Sequence, residues 1–161
     1  MLNILVTGSN GQVGSEIKEL SPSYPYNFFF TDRDTLDITN EEVIKNFVEK
    51  NNINTIINCA AYTAVDKAES DEITADLVNR KAVKKLAKIS LLNNIRLIHI
   101  STDYVFDGKA YKPYCEEFQT NPQSVYGATK LAGENEMIKI NPANSIIIRT
   151  SWMYSYYGAN F

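Results

Sequence analysis

Five short apolar runs, NILVT, YNFFFTD, NTIINCAA, RLIHIST and NSIIIRTS, recur along the chain with helix-length segments between them. They are rich in β-branched and aromatic residues, and several are apolar at consecutive positions. A strand with one wetted face alternates, whereas a continuously apolar run needs both faces covered, as in a parallel sheet under helices. The intervening segments predict helices from about Gln12 to Leu20, Glu41 to Asn51, Glu72 to Asn93 and Tyr126 to Ile140. Thr39 and Glu42, three residues apart, read as a capping box opening the second helix. Strand then helix, repeated, predicts an α/β fold: a doubly wound parallel sheet, one domain over residues 1–161.

The fifth run would stand at the sheet edge, yet it reads as a central strand. An apolar edge with nothing to cover it is a liability. The natural chain is therefore expected to continue past Phe161, with the present sequence its N-terminal part, truncated after about the fifth strand and without a substrate domain. The same edge invites self-association, which makes a homodimer a further expectation.

The 161 residues suffice for one domain with a sizeable core. Net charge is −3, and no lysine-rich tract or basic amphipathic helix occurs, which argues against nucleic acid or an anionic membrane as partner. Cys59 lies in an apolar run and Cys115 in a polar loop; two such cysteines make no disulfide framework and have no metal-ligand spacing. The start, MLNILV, has no basic flank and is too short for a signal peptide or membrane span, so a cytoplasmic enzyme or binding domain is expected.

VTGSNGQVG follows the first run and opens the first helix. Gly8, Gly11 and Gly14 are three of only seven glycines. Their spacing, GxxGxxG, lets backbone approach a pyrophosphate at a helix N-terminus, where free N–H groups and the positive dipole end favour anions. A structural turn is the plainer reading, but the strand-to-helix context favours a nucleotide. The second run ends in TDRD. A carboxylate there binds a ribose 2′-hydroxyl and favours NAD; an arginine accommodates a 2′-phosphate and favours NADP. Asp32 and Arg33 supply both, so the choice stays open.

SVYGATK places Lys130 one helical turn beyond Tyr126, so both can face one side. Lowering a phenol pKa from about 10 to ~7 needs about 4 kcal/mol of preference for tyrosinate. One ammonium ~4 Å away supplies about that at an effective dielectric of ~20. A tyrosine so tuned can exchange a proton with an alkoxide or alcohol. ISTDYVF closes the fourth run, at the carboxyl end where doubly wound sheets bind ligands. Thr102 there can donate to a substrate oxygen, or simply bond to strand-end backbone. His99, inside the strand, reads as a packed histidine. Trp152 and Tyr154, after the fifth run, fit a pocket wall or the core equally well. Residues 106–124 show turn residues without periodicity, the mark of a binding loop or lid, or else of plain surface loop.

Together, TGSNGQVG, ISTDYVFDG, NPQSVYGATKLAGE and IIRTSWMY resemble the extended short-chain dehydrogenase/reductases, whose nucleotide-binding domain is Rossmann-like. Within them the likeness is to the dTDP-4-dehydrorhamnose reductase branch. It runs over the whole chain, with STDYVFDG its most specific part and AAYTAVDKAE a further match. The resemblance implies a catalytic trio of Thr102, Tyr126 and Lys130. It implies NADPH or NADH contacts from Gly11, Gln12 and Val13, from Asp32, from Asp37 and Ile38, from Ala60, Ala61 and Thr63, and from Tyr126 and Lys130. Asp103, Tyr104 and Trp152 would face a nucleotide-sugar. The implied reaction is reduction of the C4 keto group of dTDP-4-dehydro-L-rhamnose. Some members bind magnesium, but no ligands for it can be assigned here. Related dehydratases carry Thr-Asp-Glu where this chain has Thr102-Asp103-Tyr104, and epimerases usually have small residues in place of Asp103. The alternatives are another sugar-nucleotide enzyme, epimerase or dehydratase, or a non-catalytic NAD(P)-binding regulatory subunit.

Overall fold

A computed structural model describes residues 1–158. Each apolar run contains a strand: β1 (Asn3–Thr7), β2 (Asn27–Thr31), β3 (Thr55–Asn58), β4 (Arg96–Thr102) and β5 (Ser145–Thr150). All pairings are parallel, in the order β2-β1-β3-β4-β5. The chain runs outward from β1 to β2, then returns to place β3 on the other side of β1. The carboxyl ends of β1 and β3 therefore flank a topological switch point, where doubly wound sheets open a crevice. Thr7 is in register with Thr31 and Asn58, Asn58 with His99, and Thr102 with Thr150. β4 runs three residues beyond the Asn58–His99 row, so Thr102 projects past its neighbour.

The helices are α1 (Gln12–Leu20), α2 (Glu41–Lys50), α3 (Val65–Ala68), α4 (Glu72–Asp76), α5 (Val83–Leu92) and α6 (Val125–Ile140). A π-helical turn, Leu77–Ala82, joins α4 to α5 without a break. The cap of α2 differs from expectation. Asn40, not Thr39, is the N-cap, and its side-chain oxygen accepts from the amides of Glu42 (3.1 Å) and Val43 (3.3 Å). Thr39 is drawn back instead, its amide donating to Asp37 Oδ1 at 2.8 Å. Leu5, Ile56 and Leu97 of the central strands pack with Ile44 and Val48 of α2, Val83 and Leu86 of α5, and Met137 of α6.

β5 stands at the edge, as expected, and alternates in exposure: Ile146 and Ile148 are 46% and 45% exposed. Residues 106–124 contain no helix or strand, but they are anchored. Phe106 is buried and stacks on Tyr114 at 4.3 Å between ring centroids. Tyr114 donates to Asp107 Oδ1 at 2.9 Å, and the Arg149 guanidinium lies 5.0 Å over the Phe106 ring. Among the described residues no helix is long and apolar enough to cross a membrane.

Candidate functional site

The floor of the crevice is the glycine loop. Gly8 has φ +66°, and a Cβ on it would come within 2.6 Å of the Ala60 amide nitrogen. The loop after β1 thus lies directly on the chain leaving β3, and glycine serves both the turn and the contact. A Cβ on Gly14 would lie 2.5 Å from the Gly8 carbonyl oxygen, so α1 is seated equally close. Gly11 is the N-cap of α1, its amide donates to Gly8 O at 3.0 Å, and no side chain among the described residues caps the helix. Gln12 and Val13 form the first turn, half-buried. An uncapped helix start above a glycine floor suits the diphosphate of a dinucleotide.

The expected trio gathers at the next strand ends. Ser124 caps α6 by accepting from the Gly127 amide at 3.1 Å. Tyr126 and Lys130 both lie on the buried side of that helix. Tyr126 stands edge-on to Tyr104, 5.6 Å between centroids. Thr102, buried at the end of β4, accepts from the Tyr104 amide at 3.2 Å and donates to Asp103 Oδ1 at 3.2 Å. It therefore holds its own strand end and also reaches Tyr126, whose phenol its hydroxyl biases toward the charged form.

The electrostatics differ from the sequence reading. Lys130 is only 1% exposed, and its Nζ donates to Ile100 O at 2.7 Å and lies 3.2 Å from His99 Nε2. Burial pulls its pKa down to about 8, while Glu134 and Cys59 act in the opposite sense. Burial pushes the Tyr126 phenol up; the Thr102 hydroxyl opposes this, and Asp103 and Tyr104 reinforce it. The expected ammonium-induced lowering does not occur, because the cation is turned to a strand carbonyl and an imidazole. His99 is packed, as expected, with no exposed surface, and burial foremost holds its pKa well below 6.5. Asp103 opens a 3-10 turn, Asp103–Val105, from which Tyr104 emerges half-exposed. Trp152 and Tyr154 are 70% and 67% exposed, which excludes the core reading for both. The Thr102–Thr150 register sets Trp152, two residues past β5, at the same end of the sheet.

The sequence model described as RmlD substrate binding domain matches residues 2–161. The chain belongs to the RmlD substrate binding domain family. It is 42% identical over 161 residues to a dTDP-4-dehydrorhamnose reductase of Sinorhizobium fredii, covering 99% of this chain and 53% of that one. It is 40% identical over 157 residues to a dTDP-4-keto-6-deoxy-D-glucose reductase of Streptomyces niveus, covering 98% and 54%. The solved dTDP-4-dehydrorhamnose reductase of Bacillus anthracis, in complex with NADP, superposes with a TM-score of 0.95 at 39% identity, covering 100% and 57%. The chain spans about half the length of the curated relatives it matches.

On the β2 side of this RmlD-family chain, Asp32 directly follows the strand. Its carboxylate accepts from the Thr35 amide (3.0 Å) and hydroxyl (2.8 Å), the Asp34 amide (3.1 Å) and Asn10 Nδ2 (2.6 Å). The Thr35 bonds foremost hold its pKa below the usual range. Asn10 thus ties the acid to the glycine loop, while Arg33 beside it is exposed. Asp37 is likewise held low, chiefly by Thr39. Ile38 is buried in the core, so only its backbone is left to face a ligand. Ala60 and Ala61 are half-buried beyond β3, and Thr63 is exposed. Among the described residues, no group of three or more His, Cys, Asp and Glu could hold a metal ion.

Two buried residues that brace the candidate site were not read from the sequence. Asn79, in the π turn, brackets Tyr62: it accepts from the Tyr62 amide (2.9 Å) and donates to the Tyr62 carbonyl (3.1 Å) and to Thr129 Oγ1 (3.2 Å). It fixes the Ala61–Thr63 segment to α6. A buried asparagine inside a helical run was its only signal. Glu134, wholly buried, accepts from Arg149 Nη2 at 2.7 Å and from the Ser101 hydroxyl. It ties α6 to β4 and β5, one turn beyond Lys130.

Proposed function

We propose that the 161 residues form the NAD(P)H-binding part of a reductase that converts the C4 keto group of dTDP-4-dehydro-L-rhamnose to the alcohol of dTDP-L-rhamnose. The observation that carries this reading is the placement of Thr102 and Tyr126 at the carboxyl end of β4, with Lys130 one turn on along α6, at the same end of the sheet as the glycine-floored start of α1. The close packing at Gly8 and Gly14 and the absence of a side-chain cap fit a dinucleotide diphosphate, with Asp32 and Arg33 at the adenosine end.

When bound, the nicotinamide supplies the hydride that reaches the carbonyl carbon. Tyr126 supplies the proton. Its raised pKa keeps it a phenol through neutral pH, which suits it to give a proton to a developing alkoxide. Thr102 lies against that phenol, and its one hydroxyl proton, given to Asp103 in the free chain, would turn to the carbonyl oxygen when substrate binds. Lys130, turned to Ile100 and His99, would hold the nicotinamide ribose as the resemblance implies, and solvent reprotonates the tyrosinate left after transfer. Tyr104, where a dehydratase-like site would have a second carboxylate, supports simple reduction over elimination. The Streptomyces niveus relative supports a second reading, in which the same chemistry acts on dTDP-4-keto-6-deoxy-D-glucose.

The test uses the full-length protein. NADPH or NADH should be oxidised only when a dTDP-4-keto sugar is supplied, and assaying the two sugars side by side separates the readings. Tyr126→Phe should lower turnover by ~10²-fold or more. Unchanged turnover would remove Tyr126 from the chemistry. Fluorescence titrations of this chain with NADPH and with NADH test the cradle and decide the preference at Asp32 and Arg33.

A further inference from the structure

Behind the trio runs a line of polar side chains to which the chemistry above gives no part. Thr7, Asn58 and His99 occupy one register row on three adjacent strands, β1, β3 and β4. All three are buried. Thr7 Oγ1 lies 2.6 Å from Asn58 Oδ1, Asn58 Nδ2 lies 2.9 Å from His99 Nδ1, and His99 Nε2 lies 3.2 Å from Lys130 Nζ. The row thus connects the residue before Gly8 to the lysine of the trio.

An ammonium has donors only, and a neutral imidazole has one donor nitrogen and one acceptor. Against a charged Lys130, Nε2 of His99 must be the bare nitrogen, and the ring proton sits on Nδ1. That proton needs the Asn58 oxygen, so the amide turns end for end and its NH₂ group donates to the Thr7 hydroxyl. In the opposite arrangement Thr7 donates to Asn58, Asn58 donates to Nδ1, and Nε2–H points at Nζ. Only an uncharged lysine can accept there. Each charge state of Lys130 therefore has its own hydrogen-bond pattern along Asn58, His99 and Lys130. The net difference between the two is one proton given up to solvent.

We propose that His99, backed by Asn58 and Thr7, is a positioning residue that holds the Lys130 ammonium through Nε2, and that the tautomer of His99 and the charge of Lys130 are locked together. The other titratable groups around Lys130 are Tyr126 and Glu134 on its own helix and Cys59 beyond β3; Arg149 of β5 is paired with Glu134. None of these is hydrogen-bonded to the His99 ring, whose partners are Asn58 and Lys130. The consequence for turnover rests on the reductase reading; the tautomer does not.

His99 is the chain's one histidine, so ¹⁵N-histidine labelling reports on it directly. At pH 6.5 the ring should be neutral, with the proton on Nδ1 and a bare Nε2. Raising the pH through the Lys130 transition, near 8, should move the proton to Nε2. In Lys130→Met this pH-driven change should vanish. An Nε2–H ring at pH 6.5, an imidazolium near the ordinary pKa, or a tautomer change that persists without Lys130 would each overturn the proposal. In the full-length protein, His99→Leu should shift the Lys130 limb of the pH–rate profile to lower pH by about one unit, because a bond favouring the cation is lost. His99→Gln, whose amide oxygen can replace Nε2, should restore the limb. A profile unmoved in His99→Leu would also refute the role. Absence of keto-sugar reduction would defeat the reductase reading while leaving the NMR result to stand or fall alone.

Discussion

Gly133 of α6 lies directly against the backbone carbonyl of Asn79, so closely that a methyl group on its α-carbon would overlap the carbonyl oxygen. Backbone cannot retreat as a long side chain can. Gly133→Ala should therefore push α6 from the π turn and destabilise the fold by about 1–3 kcal/mol, the usual range for overpacking. A lower urea midpoint at unchanged slope is the expected signature. An unchanged midpoint would mean that this contact carries no strain.

Lys130 should make stability depend on pH in the alkaline range. Its folded pKa, about 8, lies below the ordinary 10.5. Between those values the unfolded chain holds a proton that the folded one lacks, so Lys130's contribution rises with pH, by about 3 kcal/mol at most. Cys59 acts with the opposite sign, because burial pushes its thiol from 9.0 up to about 12. In a Cys59→Ala background, denaturant melts from pH 7 to 10.5 should therefore favour the Lys130-containing protein over Lys130→Met increasingly as pH rises. A constant gap would show that Lys130 carries no such shift.

The same elevated thiol should make the two cysteines chemically unequal. At pH 8 a thiol with pKa about 12 is thiolate only to the order of 10⁻⁴. Cys115 is exposed. Brief alkylation followed by peptide mass mapping should find Cys115 modified and Cys59 intact. Equal labelling would show that half-buried Cys59 does not carry the raised pKa.

Glu134 and Arg149 should be worth more as a pair than either is alone. Removing the partner of a buried charge costs about 3–5 kcal/mol, whereas replacing both ends by apolar groups is often nearly neutral. Arg149→Met, which strands the wholly buried Glu134, should cause a loss of that size, and adding Glu134→Leu should recover most of it. Thermal and urea melts of the variants form the check, and additive losses would exclude the coupling.

The sheet was legible because its central strands are written as apolar runs, and RLIHIST became β4 residue for residue; β2 and β5, at the edges, carry the same kind of run although they are only partly covered. The glycine loop was legible because three glycines at that spacing have few other uses between a strand and a helix. The cap of α2 was misplaced because Thr39 and Asn40 are both good capping residues at adjacent positions, and only Asp37 decides between them. Spacing placed Tyr126 and Lys130 on one face of α6, but it could not say which acceptor the ammonium would choose; His99 and Ile100 come from another element. Asn79 and Glu134 stayed hidden because polar residues in a helical pattern read as the solvent side.

The π turn from Leu77 to Ala82 also decides how this segment can be edited. A wider turn packs more residues per revolution, so this stretch holds about one residue more than an ordinary helix needs for the same rotation. Removing one beside Asn79 would let the helix rewind tightly with Val83 and Leu86 still facing the core, whereas adding one would swing everything beyond it by about 100°. The stretch already carries its spare letter, and it can drop one more easily than take another.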